Sequence, residues 1–286
     1  MDIVFLINTR KTVLMHSVFL KIGDFQIFWF GVMMATAFIT ALANWTYLGK
    51  ERGRSFNYCS DLMFWMMVAG VVGARMAYVI ADWRAFMERP ITILYVHRGG
   101  LIYYGGFIGA GIAVYFFSKF RREKFMSVVD FVITAVPLGH VFGRIGCFLN
   151  GCCYGRMYDG ILSVHFPKES LPWDGHLYAG KITADAKCSL AVHPVQLYES
   201  FFNLLVYIVL LVIYRKRPVD GKITALYLMM YPVGRFLLEY LRGDERVRWL
   251  AGFSVAQIFS LCLVLLGIVI WFLANRDGNP DATVRS

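Results

Sequence analysis

Residues 128–150 read VVDFVITAVPLGHVFGRIGCFLN, and this stretch decides the fold class of the 286-residue chain. At a helical rise of 1.5 Å per residue, the stretch is long enough to cross a hydrocarbon core of about 30 Å. Similar runs recur along the chain, of which 58% is apolar and 17% is charged. A soluble globular domain is about 45–50% apolar and about 25% charged. The composition therefore predicts an integral membrane protein and argues against a soluble or a disordered chain.

The apolar runs predict an all-α bundle of about seven transmembrane helices. The predicted spans are 27–48, 61–81, 101–120, 128–150, 196–214, 223–241 and 253–274. Residues 1–25 mix short apolar patches with charges and show no signal-peptide cleavage pattern, so we expect an interfacial arm there. Residues 151–195 are polar and contain proline and glycine, which predicts a head outside the bilayer. We expect one membrane domain over 1–286.

Clusters of basic residues predict the orientation of the bundle. Short loops rich in Lys and Arg stay in the cytoplasm, and three such loops follow the first, third and fifth spans. They contain Lys50-Arg52-Arg54, Lys119-Arg121-Arg122-Lys124 and Arg215-Lys216-Arg217-Lys222. This pattern places the N-terminus and the head in the periplasm and the C-terminus in the cytoplasm. Because topology accounts for most of the net charge of +10, we do not expect nucleic-acid binding.

Arginines inside the predicted spans are the first functional signal. A charge at mid-bilayer costs about 2.5–3.5 kcal/mol, so an intramembrane arginine is a candidate site residue. Arg144 and Arg235 each lie about six residues below the outer end of a span, roughly 9 Å deep, which is near the depth of lipid head groups. For Arg75, which has only Tyr78 as a polar neighbour on its face, we expect snorkelling toward the interface.

Two polar residues accompany Arg235. Tyr231, Arg235 and Glu239 recur at every fourth position, which places them on one helical face. Glu239 is therefore positioned to hold the Arg235 guanidinium in a bidentate pair and to leave its outer edge for a ligand.

Two further spans bring polar groups to the same outer layer. His140 lies one helical turn before Arg144, and Tyr104 stands at the outer start of the third span, before Gly105 and Gly106. The third span carries small residues at a spacing that lets another helix approach closely, namely Gly105, Gly106, Gly109 and Gly111. The arginine fork suits phosphate, and dry surroundings strengthen the attraction. These residues therefore predict a site for a phospholipid head group, with a structural ion-pair network as the alternative.

The six cysteines are too few for a disulfide framework. Cys147, Cys152 and Cys153 lie at or beyond the outer end of the fourth span. Their C-x4-C-C spacing matches no common structural zinc pattern. An oxidising exterior instead favours a disulfide, and a bridge from Cys152 or Cys153 to Cys188 is an alternative that the sequence leaves open. We expect neither a metal nor a cofactor.

Four ordered motifs, spread over most of the chain, resemble the prolipoprotein diacylglyceryl transferase family. They are GRIGCFLNGCCYG at 143–155, GGLIYYGG at 99–106, HPVQLYE at 193–199, and YPVGR at 231–235 leading to Glu239. The resemblance implies a bacterial inner-membrane transferase with seven spans. Its reaction would move the diacylglyceryl group of phosphatidylglycerol to the lipobox cysteine of a preprolipoprotein, forming a thioether and releasing glycerol 1-phosphate.

The resemblance also implies roles for individual residues. Arg144 and Arg235 would bind and stabilise the head-group phosphate, and Glu239 would orient Arg235. The residues expected to shape or line the substrate site are Asn150, Gly155, Tyr231, Gly105, Gly106 and His193.

The chain departs from the family pattern at the residue before the Gly-Gly pair. The family commonly has a histidine there, and this chain has Tyr104. A tyrosine, with an ordinary pKa near 10, is a poorer thiol base than a histidine near 6.5. Three interpretations are open. The side chain at position 104 can orient groups rather than catalyse, which we favour. Alternatively, His140 or His193 supplies the base, or the protein binds lipid without transferring it. Other departures are Cys147 for Asn, Cys152 for Glu and Phe30 for Tyr.

Two other functions are alternatives to the transferase. A non-catalytic phospholipid-binding protein would need the same arginines. A small-solute transporter is less favoured, because it would carry polar residues through the full membrane thickness, whereas the inner halves of the fourth and sixth spans are almost wholly apolar.

Overall fold

The structure is a computed structural model that describes residues 17–23, 25–96, 99–243 and 252–277. It begins with an antiparallel hairpin of β1 (Val18–Ile22) and β2 (Phe25–Phe28). Phe19 of the hairpin packs edge-on against Trp29, with ring centroids 4.5 Å apart. The hairpin begins within the predicted arm (1–25) and extends to Phe28, and residues 1–16 and 24 of the arm lie outside the described chain.

The rest of the described chain is mostly helical. Its helices are α1 (Trp29–Lys50), α2 (Phe56–Ala81), α3 (Trp83–Glu88), α4 (Tyr103–Phe120), α5 (Phe125–Ile133), α6 (Val136–Leu149), α7 (Leu171–Tyr178), α8 (Val195–Arg215), α9 (Lys222–Glu239) and α10 (Val255–Asp277), with a 3-10 helix at Pro90–Leu94.

Five helical segments of the described chain are long and apolar enough to cross a membrane. They are Trp29–Lys50, Phe56–Ala81, Phe125–Leu149, Val195–Arg215 and Val255–Arg276. Helices α4 and α9 occupy the places of the third and sixth predicted spans. A mostly helical membrane protein is therefore confirmed, and the count of seven spans stays a prediction.

Residues 42–132 form one compact unit, in which α2 packs against α4. Glycines make this packing close. A Cβ added at Gly105 would collide with Gly73 and Ala77 of α2, and one added at Gly109 would collide with Ala69. The close approach predicted from the glycine spacing of the third span is therefore present.

Ion pairs join the second basic loop to the first and to the start of α2 within this unit. Arg54, after α1, pairs with Glu123, after α4. Arg121 lies 2.7 Å from the Asp61 carboxylate. Both loops therefore lie at the same end of the unit, as the orientation argument requires.

Arg75 is buried, and the expectation that it snorkels is wrong. Its side chain lies against the rings of Tyr78 and Phe86, 5.6 and 5.3 Å from their centroids. The guanidinium donates hydrogen bonds to four backbone carbonyls: those of Thr92 (2.5 Å), Ile93 (2.9 Å), Gly99 (2.9 Å) and Gly100 (3.1 Å). The segment between α3 and α4 supplies these acceptors, so the charge is satisfied inside the protein rather than at the interface.

The second compact unit contains the described residues up to 41 and from 133 onward. In it α6 packs on α8, α8 on α9, and α9 on α10. The predicted fourth span is two helices, because the chain leaves regular helix at 134–135 and α6 restarts with Pro137 in its first turn. Gly146 of α6 faces Phe30 and Met33 of α1, where a Cβ would lie 3.1 Å from the Phe30 ring.

Residues 151–195 form the head of this unit. Its core is Phe166 and Val192, which are fully buried. Isolated antiparallel bridges join Val192 to Met157 and to Val164. The Trp173 indole of α7 donates a hydrogen bond to the Ala186 carbonyl at 2.8 Å, which fixes α7 to the following loop.

Candidate functional site

Arg144 is held by an acidic residue of the neighbouring helix. Arg144 Nη2, on α6, lies 2.8 Å from Glu199 Oε1, on α8. The Glu199 side chain is 2% exposed and that of Arg144 is 21% exposed. The pair compensates both charges in apolar surroundings. Because a guanidinium has five N–H donors, Arg144 keeps donors for a ligand on its exposed side.

The predicted pair between Arg235 and Glu239 is present on α9. Arg235 Nη1 lies 2.6 Å from Glu239 Oε2, and both side chains are nearly buried. Gly234, beside Arg235, lies against the Phe202 ring of α8 so closely that a Cβ would overlap it. The close packing of α9 on α8 therefore fixes the backbone from which Arg235 extends.

Tyr231 connects the two arginine-bearing helices. Its ring centroid lies 4.9 Å from that of His140 on α6. Arg144 lies within electrostatic reach of the Tyr231 hydroxyl. On its other side Tyr231 stacks on Tyr227, with centroids 5.5 Å apart. The structure thus brings His140, Arg144 and Tyr231 together, as the sequence predicted for one outer layer.

Buried polar groups of α8 fix the helix that carries Glu199. The Ser200 hydroxyl donates to the Val141 carbonyl of α6 at 3.1 Å. The Asn203 amide donates to the Glu199 carbonyl at 2.8 Å. The Asn203 bond lies within α8, whereas the buried Ser200 bond joins α8 to α6 and so helps to set the position of the Glu199 carboxylate.

Asn150 closes the end of α6. Its backbone N–H donates to the Gly146 carbonyl at 2.9 Å. The chain then turns at Gly151, whose φ of +73° favours glycine. The Gln196 amide of α8 donates to the Cys152 carbonyl at 2.7 Å, so the turn after α6 is tied to the start of α8.

Gly155 lies where the head meets the end of α9. Its N–H donates to the His193 carbonyl at 3.0 Å, and its backbone pairs with Arg242 in an antiparallel bridge. A Cβ at Gly155 would lie 2.5 Å from the His193 carbonyl oxygen and 2.7 Å from Val195. Only glycine fits there without displacing the backbone, and the part of Gly155 in shaping the substrate site stays a prediction.

His193 belongs to the head. Its ring stacks on Tyr158 with centroids 3.9 Å apart, and its Nδ1 lies 3.4 Å from the Tyr198 hydroxyl. Burial lowers the pKa of His193. The imidazole is therefore largely neutral near pH 7, which is the form that a general base needs.

Tyr104, Gly105 and Gly106 lie in the other compact unit. Tyr104 stands in the first turn of α4, 62% exposed, and its ring is edge-on to Tyr103 at 5.8 Å. Gly105 and Gly106 face α2, so helix packing already accounts for both glycines. Their part in substrate binding, like that of Tyr104, stays a prediction.

The cysteines in the last turn of α6 and just after it form a cluster of thiols. The Sγ atoms of Cys147, Cys152 and Cys153 lie within 4.8 Å of one another, and each of the six cysteines is a free thiol. The bridge to Cys188, which the sequence left open, is not formed: the turn at Gly151 folds Cys152 back onto the end of α6, whereas the Cys188 backbone pairs with Pro167. Hydrogen bonds from the neighbouring thiols lower the pKa of Cys153.

Sequence reasoning missed Glu199 as the partner of Arg144. Glu199 stands in the HPVQLYE motif, but the free-energy cost of a charge inside the membrane was considered only for the arginines. An acidic side chain near the start of an apolar span carries a comparable cost. A search for both signs of charge would have found Glu199 as a candidate, although not its partner.

Proteins similar to this chain over most of its length share one described activity. A family model described as prolipoprotein diacylglyceryl transferase matches residues 17–273. A phosphatidylglycerol–prolipoprotein diacylglyceryl transferase of Clostridium novyi is 33% identical over 264 residues, which cover 91% of this chain and 96% of the relative. One from a Synechocystis species is 30% identical over 94% of this chain and 93% of the relative.

Proposed function

Since the chain belongs to the prolipoprotein diacylglyceryl transferase family, we propose that it transfers the diacylglyceryl group of phosphatidylglycerol to the lipobox cysteine of a preprolipoprotein. The substrate sulfur bonds to the glycerol carbon that bears the phosphate. The carbon–oxygen bond breaks, glycerol 1-phosphate leaves, and the thiol proton passes to a base. The thioether product is the first intermediate of bacterial lipoprotein maturation.

The pairing of two intramembrane arginines with buried carboxylates supports the site assignment. Arg144 is paired with Glu199 and Arg235 with Glu239, at 2.8 and 2.6 Å. Each carboxylate lies beside one guanidinium nitrogen and compensates the arginine charge, and the remaining N–H groups suit phosphate oxygens. Negative charge grows on the leaving phosphate as the bond breaks. Fixed donors in a dry site stabilise this charge best.

His140 is our candidate for the base that accepts the thiol proton. It lies one turn before Arg144 and contacts Tyr231, so it belongs to the same group of residues. Tyr104 can still hydrogen-bond where the family has a histidine, and we assign it a positioning role. His193 is the second candidate base, since burial favours its neutral imidazole and its backbone pairs with that of Gly155 in the head.

We place the enzyme in the bacterial inner membrane, with its N-terminus and head in the periplasm and its C-terminus in the cytoplasm. The shared end of the first two basic loops supports this orientation. Phosphatidylglycerol and the signal peptide then both arrive from the bilayer at the outer-leaflet depth of Arg144 and Arg235.

Purified full-length protein in phosphatidylglycerol micelles, given a lipobox peptide, tests the proposal. Glycerol phosphate release and the gain in peptide mass are followed for the wild type and for Arg144→Ala. We expect this variant to lose at least 100-fold in turnover, the size of effect for one lost donor to a developing anion. Arg121→Ala, which removes an arginine from an exposed pair, is the matched control and keeps full activity.

Two more variants address the base. His140→Ala is expected to lose turnover at neutral pH and to recover part of it at higher pH, where the thiol ionises without help. Tyr104→Phe removes only a hydrogen bond and is expected to lose less. A well-folded wild type that binds phosphatidylglycerol but releases no glycerol phosphate would overturn the transferase and leave a lipid-binding protein.

A further inference from the structure

Three free thiols converge at the end of α6, beside the arginine site. The sulfur atoms of Cys147, Cys152 and Cys153 lie within 4.8 Å of one another, and all three side chains are partly buried. The transfer reaction uses none of them, because its nucleophile is the thiol of the substrate. The cluster therefore needs its own explanation.

The backbone holds the cluster together. The Cys152 N–H donates to the Cys147 carbonyl at 3.1 Å, which closes the turn that follows α6. Gln196 binds the Cys152 carbonyl at 2.7 Å. Cys153 adopts a φ of +62°, a conformation that costs energy for a side chain other than glycine. The strained backbone conformation at Cys153 thus keeps its side chain in the group.

Positive charges surround the sulfur atoms. Arg144, one turn before Cys147, lies within electrostatic reach of Cys147 and Cys153. The Arg242 side chain lies within hydrogen-bonding reach of the Cys153 thiol, and Arg242 is buried. The two guanidinium groups thus place positive charge beside the sulfur atoms, which favours thiolates once a metal ion displaces the thiol protons.

We propose that Cys147, Cys152 and Cys153 bind one Cu(I) ion in a three-coordinate thiolate site. Soft thiolates select Cu(I), whereas structural zinc sites take four ligands. Within the chain that the structure describes, no histidine or carboxylate joins the three sulfurs at the same distance. Metal–sulfur bonds of about 2.3 Å place three sulfurs roughly 4 Å apart, so the cluster needs to contract by less than about 1 Å.

The binding step balances without a change of oxidation state. Cu(I) displaces three protons from three thiols and forms three copper–sulfur bonds, so the site carries two negative charges. The guanidinium groups of Arg144 and Arg242 lie within electrostatic reach and attract this charge. An ion supplied as Cu(I) therefore needs no oxidant or reductant.

Occupancy of the site has a consequence for catalysis, which rests on the proposed function. A doubly negative copper site one turn from Arg144 competes with the substrate phosphate for its guanidinium. We therefore expect stoichiometric Cu(I) to lower the transfer rate of the wild type. Cu(I) binding itself is measured without any substrate, so a failure of the transferase proposal would not affect it.

Anaerobic titration of the reduced, purified full chain in detergent tests the site. Cu(I) is presented in competition with a chromophoric Cu(I) chelator, and bound copper is counted per chain. We expect one tightly held ion for the wild type and at least 100-fold weaker retention in Cys147→Ser, Cys152→Ser and Cys153→Ser. Cys188→Ser and Cys262→Ser, which remove thiols outside the cluster, are the matched controls and keep the wild-type affinity.

X-ray absorption on the copper-loaded wild type keeps the proposal testable if a serine variant fails to fold. Three sulfur neighbours support the site. Two sulfur neighbours, a copper content of zero in a monodisperse reduced protein, or equal loss of binding in Cys262→Ser would each overturn it. Zn²⁺ that competes with Cu(I) at equal concentration would contradict the three-coordinate assignment.

Discussion

The Arg144–Glu199 pair yields the sharpest prediction, through the substitution Glu199→Gln. Glutamine keeps the shape of the side chain and removes its charge. Opposite charges separated by 2.8 Å attract by about 6 kcal/mol at an effective dielectric of 20. Loss of one partner from a buried pair costs about 3–5 kcal/mol. Because Arg144 is 21% exposed and water replaces part of the attraction, we expect a loss of unfolding free energy near the lower end, about 3 kcal/mol.

The catalytic effect of Glu199→Gln follows from the orientation of Arg144. Without the carboxylate the guanidinium is free to rotate, and a misplacement of about 1 Å at a catalytic group costs about 100-fold in rate. We expect kcat/KM to fall by about this factor, or about 2.7 kcal/mol of transition-state stabilisation. Glycerol phosphate release in the micelle assay measures it, and thermal unfolding of the same samples measures the stability.

Two variants control this prediction. Glu199→Asp keeps the charge on a shorter side chain and is expected to recover part of the activity. Glu123→Gln makes the same chemical change in the Arg54 pair of the other unit, and is expected to keep the wild-type rate within about twofold, as a change remote from the site should. Wild-type turnover in Glu199→Gln, or an equal loss in Glu123→Gln, would refute the positioning role of Glu199.

Three further predictions concern other parts of the molecule. Arg75→Met leaves four backbone carbonyls without their donor and should cost at least about 3 kcal/mol of stability by thermal unfolding. An unchanged melting temperature would contradict a stabilising role for these four hydrogen bonds. Gly155→Ala introduces a clash with the His193 carbonyl and should cost about 1–3 kcal/mol, whereas Gly111→Ala, which meets no neighbouring atom, should be neutral or slightly stabilising in the same measurement. Burial lowers the pKa of His176, whose Nδ1 accepts the Leu190 N–H at 3.2 Å. The stabilising contribution of neutral His176 is therefore complete above the unfolded pKa near 6.5 and is lost as the pH falls below it. Hydrogen exchange of the Leu190 N–H, corrected for its intrinsic rate, should accelerate below pH 6.5 in the wild type. The same exchange should not accelerate in His176→Gln.

Features that depend on neighbouring positions of one helix were predictable from the sequence. Apolar runs of sufficient length predicted the membrane class and the positions of the helices. The Arg235–Glu239 pair followed from a spacing of four residues, which places two side chains on one helical face whatever surrounds the helix. Glycine spacing in the third span likewise predicted a close helix contact, although not that α2 is the partner.

Features that depend on two distant segments were decided by the tertiary structure alone. Periodicity along α6 places Arg144 on a face, but only the packing of α8 against it brings Glu199 to that guanidinium. Arg75 looked like a snorkelling residue because its four acceptors are backbone carbonyls, which every sequence possesses and none reveals. The cysteine cluster likewise depends on a backbone turn rather than on residue spacing. Local patterns determine which surface a residue faces, and the free energy of packing determines which residue it meets there.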